Sequence, residues 1–181
     1  MSQVKISGNA SGTGVLTIAA PNTNTDRSIT IPDKAGAIAV GAGTIVQVVQ
    51  SVYGTRTAVT STTLTDIGLG ASITPTSSSN KILMWVSIPI EFSGSGVHGL
   101  DIHLYRGGSS IVMFADDDYY QISVNQRFTY NYHYMDSPAT TSSTTYEIYV
   151  REIFSGRTSN FNSHTTGNNN SSIMTLMEVV A

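Results

Sequence analysis

Hydrophobic and polar positions alternate with a period of two along most of the chain. In IVQVVQSVY, Ile45, Gln47 and Val49 fall on one side and Val46 and Val48 on the other. Period-2 alternation is typical of β-strands, and no window has a helical period that reads better. The same pattern predicts strands at SITP (72–75), 81–92, RFTYNYHYM (127–135), TYEIYVREIF (145–154) and SIMTLMEVV (172–180). Many strands separated by turns predict an all-β fold, an antiparallel β-sandwich of the jelly-roll-like kind.

Two of these segments are apolar on both sides. In ILMWVSIPI, Leu83 and Trp85 lie opposite a row of apolar side chains from Ile82 to Ile90, and segment 173–180 has the same property. Strands that are apolar on both sides are covered on both sides. A sandwich covers only one face of each sheet, so we expect a partner subunit on the outer face. A long loop folded over the sheet is the alternative.

The N-terminal residues cannot form a core alone. VLTIAA and SITIP read as two short strands joined by a polar turn, within a segment of about 44 residues, near the lower limit for independent folding. No cysteine is present to add a disulfide or a thiolate zinc site. We therefore predict an attachment or stalk segment over 1–44 and a sandwich knob over 45–181. Association would bury a set of apolar side chains in several copies: Val15, Leu16, Ile18, Ile29 and Ile31. A disordered tail is the alternative.

Composition argues against two classes of partner. The formal charge is −3 and the pI about 5.7, so the chain lacks the basic excess that binding nucleic acid requires. Charged residues make up 12% of the chain, while serine and threonine make up roughly a quarter, which suits turns and pleated strands. The longest apolar stretch, KILMWVSIPI, is shorter than the ~20 residues of a membrane helix, and MSQVKISGNA has no export signal. We expect synthesis in a cytoplasm and no membrane insertion.

Catalytic motifs are lacking. SGSGVHG does not have the G-x-S-x-G spacing of a nucleophile elbow, and no pair of carboxylates is recognisable as an acid–base pair. We predict a protein that is not an enzyme and that has neither cofactor nor metal.

One acidic run is a candidate binding site. FADDDYYQ places Asp116, Asp117 and Asp118 before Tyr119 and Tyr120, which suits a sugar-binding loop or a site for a hard cation. The run lacks the D-x-D-x-D-G register of a calcium loop. A solvated loop between strands is the alternative.

A second candidate is the polar stretch GRTSNFNSHTTGNNNSS (156–172), because loops on rigid β-scaffolds often perform recognition. Its predicted glycan or host contacts are Asn160, Phe161, Asn162 and His164. By contrast, the ladder of Tyr130, Tyr132 and Tyr134 is typical of a core or an interface. His103 and His133 fall in strand-like runs, where they could meet and bind metal or be solvated.

The N-terminal pattern resembles a segment of tailed-bacteriophage virion-surface proteins, especially marine and cyanobacterial ones. In GTGVLTIAAPNTNTDRSITIPDKAGAIAV, the matching positions include Gly14, Pro21, Arg27, Pro32 and Gly36. TDIGLGASITPTSSSNKILMWV, MDSPATTSSTTYEIYV and SSIMTLMEVVA resemble the domain that often follows. The resemblance implies a homotrimeric, β-rich structural protein of a tail fibre, head fibre or capsid decoration, at the virion surface. The shortness of the chain favours a short spike or a knob.

The predicted function is therefore that of a non-enzymatic virion protein, made in the host bacterial cytoplasm. Its partners would be its own copies, capsid or tail proteins, and host surface polysaccharide. Trp85 joins the N-terminal apolar residues as a predicted trimer or attachment contact. Two alternatives are a carbohydrate-binding lectin module that is not attached to a virion, and a polysaccharide-cleaving tail spike.

Overall fold

The computed structural model describes residues 41–162 and 170–181 together with Asn24, the side chains of residues 118 and 119 excepted. The chain divides into two compact units, Met1–Ala37 and Ile38–Ala181, and every described residue except Asn24 belongs to the second. Almost all of the predicted segment 1–44 thus lies outside the described residues. So do several predicted contact residues: Val15, Leu16, Ile18, Ile29, Ile31 and His164.

Ten β-strands make up the regular structure of the described residues, which contain no helix. Their bounds are β1 Ile45–Tyr53, β2 Thr57–Val59, β3 Thr65–Ile73, β4 Lys81–Ser93, β5 Gly96–Arg106, β6 Ser109–Ile122, β7 Gln126–Asp136, β8 Thr144–Glu152, β9 Thr158–Phe161 and β10 Ser172–Val179. In this part of the chain no helix is long and apolar enough to cross a membrane. The predicted all-β, jelly-roll-like antiparallel sandwich is confirmed.

The strands form two antiparallel sheets. The larger sheet has the order β1-β10-β4-β9-β2, with β7 paired to the other edge of β4. The smaller sheet has the order β3-β8-β5-β6. β4 is the central strand of the larger sheet: it pairs with β7 over most of its length, with β10 in its first half and with β9 at its end.

Period-2 alternation determines which side chains enter the core. In β4 the predicted inner row is fully or almost fully buried, and it packs with Leu100, Ile102 and Leu104 of β5 and with Ile148 of β8 in one cluster. Burying a large aliphatic side chain stabilises the fold by about 1.5–3 kcal/mol. The sandwich is therefore held mainly by these two facing rows.

Stacked aromatic side chains join β6 to β7. Phe114 stacks on Tyr132 with ring centroids 4.7 Å apart, and Tyr120 stacks on Phe128 at 4.8 Å. Tyr130, Tyr132 and Tyr134 pack against the core as partly buried residues, so the prediction that this ladder belongs to the core or an interface is confirmed.

Buried polar ties connect elements across the fold. Asp136 of β7 accepts hydrogen bonds from the Tyr146 hydroxyl of β8 (2.7 Å) and from Arg106 of β5 (2.7 and 2.9 Å), which links the two sheets. Burial first, and then the Asp136 carboxylate, raises the pKa of Tyr146.

Two segments differ from the sequence-based expectation. FADDDYYQ lies within β6 rather than in a loop, with Asp117 at φ 51°. The stretch 156–172, predicted as one long loop, contains β9. In both cases strand pairing outweighs a local composition that favours turns. FADDDYYQ pairs with the edge of β5, and β9 pairs with the edge of β4.

Candidate functional site

The outer face of the larger sheet carries rows of side chains that run across four strands. One row is entirely apolar and joins Val48, Met177, Leu83 and Met135 as successive register partners from β1, β10, β4 and β7. The next row contains Gln50, Thr175, Trp85 and His133, and a third contains Val52, Ile173, Ser87 and Asn131. We call these three rows the Trp85 face; they include no Asp, Glu, Lys or Arg.

The Trp85 face is open to solvent in the single chain. Trp85 is 62% exposed, Val48 60% and Met135 45%. Grooves of about 240 and 310 Å³ flank the indole of Trp85 on its two sides. This exposure agrees with the predicted apolar outer face rather than with a loop folded over it, as far as the described residues show.

The outer face of the smaller sheet has a different chemistry. Tyr149 of β8 lies between register partners Asp66 and His103, and Tyr105 of β5 pairs with Glu147. The rings of Tyr105 and Tyr149 stack with centroids 4.1 Å apart and an interplanar angle of 26°. We call the surface formed by Asp66, Tyr105, Glu147 and Tyr149 the Tyr149 face.

A polar groove of about 290 Å³ crosses the Tyr149 face between β3 and β8. It follows a β-bulge between Asp66 and Gly70, where the Asp66 carboxylate accepts a hydrogen bond from the Gly68 backbone N–H at 2.7 Å. Gly68 has φ +85°, and a Cβ there would lie 2.6 Å from the Tyr53 ring. Glycine is favoured at this position because a side chain would strain the backbone conformation and displace the Tyr53 ring.

The electrostatics of the Tyr149 face are acidic near the groove. Partial burial, followed by the nearby charges of Glu147 and Asp66, raises the pKa of the Tyr149 phenol. The neighbouring cation Arg151 is engaged elsewhere, since its Nε donates to Asp101 at 2.6 Å. The phenol therefore stays protonated and able to donate a hydrogen bond.

The predicted acidic run lies beside buried Asp101, whose carboxylate is engaged by bonds within the chain. Asp101, Asp116 and Asp117 each offer an oxygen atom within 4.8 Å of the others. Both oxygens of buried Asp101 accept hydrogen bonds, one from the Asp117 backbone N–H and one from Arg151. Asp116 and Asp117 are exposed, whereas nothing is described of the Asp118 and Tyr119 side chains. Tyr120 stacks on Phe128 and belongs to the aromatic junction of β6 and β7.

The predicted contacts in β9 and directly after it are buried. Asn160, Phe161 and Asn162 are each at most 1% exposed, so their side chains do not form a surface for a glycan in this chain. The side-chain oxygen of Asn162 accepts hydrogen bonds from the backbone N–H and the hydroxyl of Ser172. The side-chain NH₂ of Asn162 donates to the backbone carbonyl of Thr55. The Asn160 side-chain amide accepts a hydrogen bond from Arg56 and donates one to the Ser93 hydroxyl. The amide groups that suggested recognition are therefore used for bonds within the chain.

A titratable group is buried beneath the smaller sheet. His98 Nδ1 lies 3.7 Å from a carboxylate oxygen of Glu152. The same oxygen accepts a 2.5 Å hydrogen bond from the Ser159 hydroxyl. All three residues are fully buried. Burial is the first cause that lowers the pKa of His98, with Arg157 adding to it. Burial also raises the pKa of Glu152, against the hydrogen bond from Ser159. Both shifts favour the uncharged forms.

The two histidines that were predicted in strands lie on different faces. His103 is on the outer face of the smaller sheet, with its Nδ1 2.9 Å from the Ser110 hydroxyl. His133 is on the Trp85 face. They do not meet within one chain, because the sandwich lies between them.

Sequence reasoning missed Tyr105 and Tyr149 as a pair. The two residues are 44 positions apart, and their contact depends on the register of β5 against β8. An indirect signal was available, because Leu100, Ile102 and Leu104 alternate with polar residues in GVHGLDIHLYR and place Tyr105 on the outer side.

No protein-family model and no curated protein matches this chain. Among solved structures it is similar to "Structure of infectious bursal disease virus Gx strain", at 12% identity and a TM-score of 0.42 over 86% of this chain and 41% of that chain. It is also similar to "Structure of infectious bursal disease virus Gt strain", at 12% identity and a TM-score of 0.39 over 86% of this chain and 42% of that chain. The chain spans about two fifths of the length of these two structures. The fold assignment rests on the two antiparallel sheets described above.

Proposed function

We propose that this protein is a non-enzymatic structural protein of a virion that assembles as a homotrimer. Residues 1–44 attach it to capsid or tail proteins, and the sandwich is displayed at the particle surface as a short spike, fibre or decoration. The bacteriophage assignment is supported by the sequence resemblance over 14–38, most of which lies outside the described residues.

The Trp85 face carries the proposal of self-association. The face is four strands wide, with strands about 4.8 Å apart, and three rows long, with same-face residues about 6.8 Å apart. Its area is therefore roughly 400 Å². Exposed apolar patches of a few hundred Å² mark interaction surfaces. The face has no formal charge that would demand a charged partner, and a flat, uncharged surface packs readily against a second copy. Covering it in a subunit contact removes indole, thioether and aliphatic groups from water.

The non-enzymatic part of the proposal is supported by the burial of Ser159, Glu152 and His98. This group brings together the residue types of a hydrolase, but each side chain is fully buried. The serine hydroxyl donates to the glutamate rather than to the histidine. Full burial separates these three side chains from solvent.

Sedimentation velocity of the full chain at micromolar concentration tests the association. We expect a trimer for the parent protein and a monomer for Trp85→Lys, because the substitution would bury an unpaired charge in the contact. Val124→Lys is the matched control, since Val124 is 65% exposed and lies in the turn after β6. A monomeric parent protein would sink the proposal, as would a trimeric Trp85→Lys variant.

Particle incorporation tests the attachment role. Tagged full-length chain and a chain lacking residues 1–44 would be supplied during virion production, and purified particles would be probed for the tag. We expect only the full-length chain in the particles. A free lectin module would be absent from particles in both forms.

A further inference from the structure

The stacked pair Tyr105–Tyr149 forms an aromatic wall that projects from the outer face of the smaller sheet. Each ring holds the other at 4.1 Å, and both are half-buried on neighbouring strands. One face of each ring is occupied by its partner, and His103 lies beside Tyr105 with ring centroids 6.5 Å apart. The partly exposed surface of the rings that remains is open to a ligand. An aromatic surface fixed in this way binds without a large loss of side-chain freedom.

Hydrogen-bonding groups border the wall on the groove side. Asp66 is the register partner of Tyr149, so its Cβ lies about 5 Å from that of Tyr149. Glu147 lies on β8 two residues before Tyr149, and the Ser72 and Thr145 hydroxyls bond each other at 2.7 Å further along the groove. Carboxylates, hydroxyls and a phenol therefore surround one apolar wall.

Charge restricts what can occupy this groove. Asp66 and Glu147 are the formal charges among the groove-lining residues, and both are negative. They disfavour phosphate, sulfate and uronate groups, while their oxygens accept hydrogen bonds from neutral hydroxyls. A sugar ring fits this pattern, because it presents apolar C–H groups on its face and hydroxyl donors around its rim.

We propose that the Tyr149 face binds a neutral, hydroxyl-rich saccharide. A sugar ring packs on the wall of Tyr105 and Tyr149, and its hydroxyls donate to Asp66 and Glu147. The site lies on the surface opposite the Trp85 face, and it differs from the contacts predicted in FADDDYYQ and β9. The inference rests on the proposed function in one respect, namely that the sandwich is displayed at the particle surface.

Isothermal titration of the full chain with a panel of tetrasaccharides tests the site. The neutral probes are built from glucose, galactose, mannose or N-acetylglucosamine, and a uronic acid tetrasaccharide is the anionic probe. We expect at least one neutral probe to bind and the anionic one to bind more weakly. Tyr149→Ala should weaken binding about tenfold or more. Tyr149→Phe should retain most of the affinity, because it keeps the ring.

Phe154→Ala is the control, because Phe154 is 38% exposed and lies outside both faces. Failure of every neutral probe at millimolar concentration overturns the proposal. Equal affinities for the parent, Tyr149→Ala and Phe154→Ala overturn it as well. Trp85→Lys separates this inference from the assembly proposal. We expect it to bind the saccharide with parental affinity per subunit, and its sedimentation reports association independently.

Discussion

The two outer faces of this sandwich are built on the same backbone plan and differ in almost everything else. The Trp85 face presents apolar rows without a formal charge. The Tyr149 face presents a pair of aromatic rings among carboxylates and hydroxyls, beside a polar groove. The first has few groups that could bond a polar ligand, and the second has too many polar groups to make a dry subunit contact.

This difference underlies the proposed division of roles, with association on one face and saccharide binding on the other. Along each strand, the outer side chains alternate with inner side chains that are buried in the shared core. The packing of the inner side chains therefore fixes the positions of the outer ones. An apolar outer face gains free energy when another apolar surface covers it. A polar aromatic face gains from a ligand that replaces its water hydrogen bonds. Assembly and recognition can then proceed on opposite sides without competing.

The largest expected effect comes from placing a charge at equivalent positions on the two faces. Leu83→Lys puts an ammonium group between Met177 and Met135, so we expect association to weaken about a hundredfold or more, since an unpaired charge would be buried. Thr145→Lys is the control on the smaller sheet, because Thr145 and Leu83 are both half-buried. Sedimentation equilibrium should show loss of the trimer for the first variant alone. Equal effects would erase the distinction between the faces.

The next effect concerns the tie that holds the two sheets together. Tyr146→Phe removes the hydroxyl that donates to Asp136 at 2.7 Å, leaving a buried carboxylate with one donor fewer. We expect the free energy of unfolding to fall by about 1–3 kcal/mol. Tyr149→Phe, the surface counterpart on the same strand, should change it by less than about 0.5 kcal/mol. Urea denaturation measures both, and similar losses would contradict the assigned role of Asp136.

A pair of glycines isolates the contribution of the groove. Gly43 and Gly68 share a φ of +85°, but a Cβ would meet nothing at Gly43 and the Tyr53 ring at Gly68. Alanine at either position should cost about 1–2 kcal/mol for the left-handed conformation. Gly68→Ala should cost more, because Tyr53 must also move, and it should weaken saccharide binding. Denaturation and titration together check this, and a Gly43→Ala variant that lost saccharide binding would count against the assignment.

The smallest expected effect is a pH dependence that differs between the sheets. Burial lowers the folded pKa of His98 below its ordinary 6.5, so the unfolded chain takes up the proton first and stability falls as the pH drops below about 6.5. For Glu178 in β10, burial acts to raise the pKa, but hydrogen bonds from Asn80 and Thr76 outweigh it and lower the pKa. The contribution of Glu178 is therefore complete above pH 4.5 and is lost as the pH falls further. Glu152 acts in the opposite sense, because its raised pKa favours the fold at low pH and that benefit is lost as the pH rises.

Urea midpoints at pH 7.5, 6, 5 and 4 would separate these contributions. His98→Gln should flatten the decline between pH 6.5 and 5, whereas Glu178→Gln should flatten only the decline below 4.5. A parent protein whose midpoint rose between pH 6.5 and 5 would show that Glu152, rather than His98, dominates the buried pair.

Much of the fold follows from the sequence because period-2 alternation is strong where burial is strong. The strand predicted at IVQVVQSVY has the bounds of β1, and Trp85 lies on the predicted outer side of β4. Only a strand-like run around His103 was predicted in β5, and β6 was not predicted as a strand, because glycine, histidine and aspartate interrupt the outer rows of both strands. The inner row of β5 alternates regularly, whereas irregular pairing with β5 breaks the alternation of β6.

The candidate site was much harder to predict than the fold. Tyr105 and Tyr149 meet only through the pairing of β5 with β8, and the groove depends on a bulge in β3. Such long-range register is not encoded in any local window. Asn160 and Asn162 misled in the opposite direction, since amide-rich composition suggests a solvent-facing loop and the structure uses these amides as buried bonding groups.

The position of Trp85 gives the protein a built-in optical reporter. It is the single tryptophan in 181 residues, and it projects from the Trp85 face into solvent. An uncovered indole emits at long wavelength, and any event that shields it from water shifts the emission toward the blue. Fluorescence of the unlabelled chain can therefore follow any coverage of this surface in real time, and it reports directly on the proposed association.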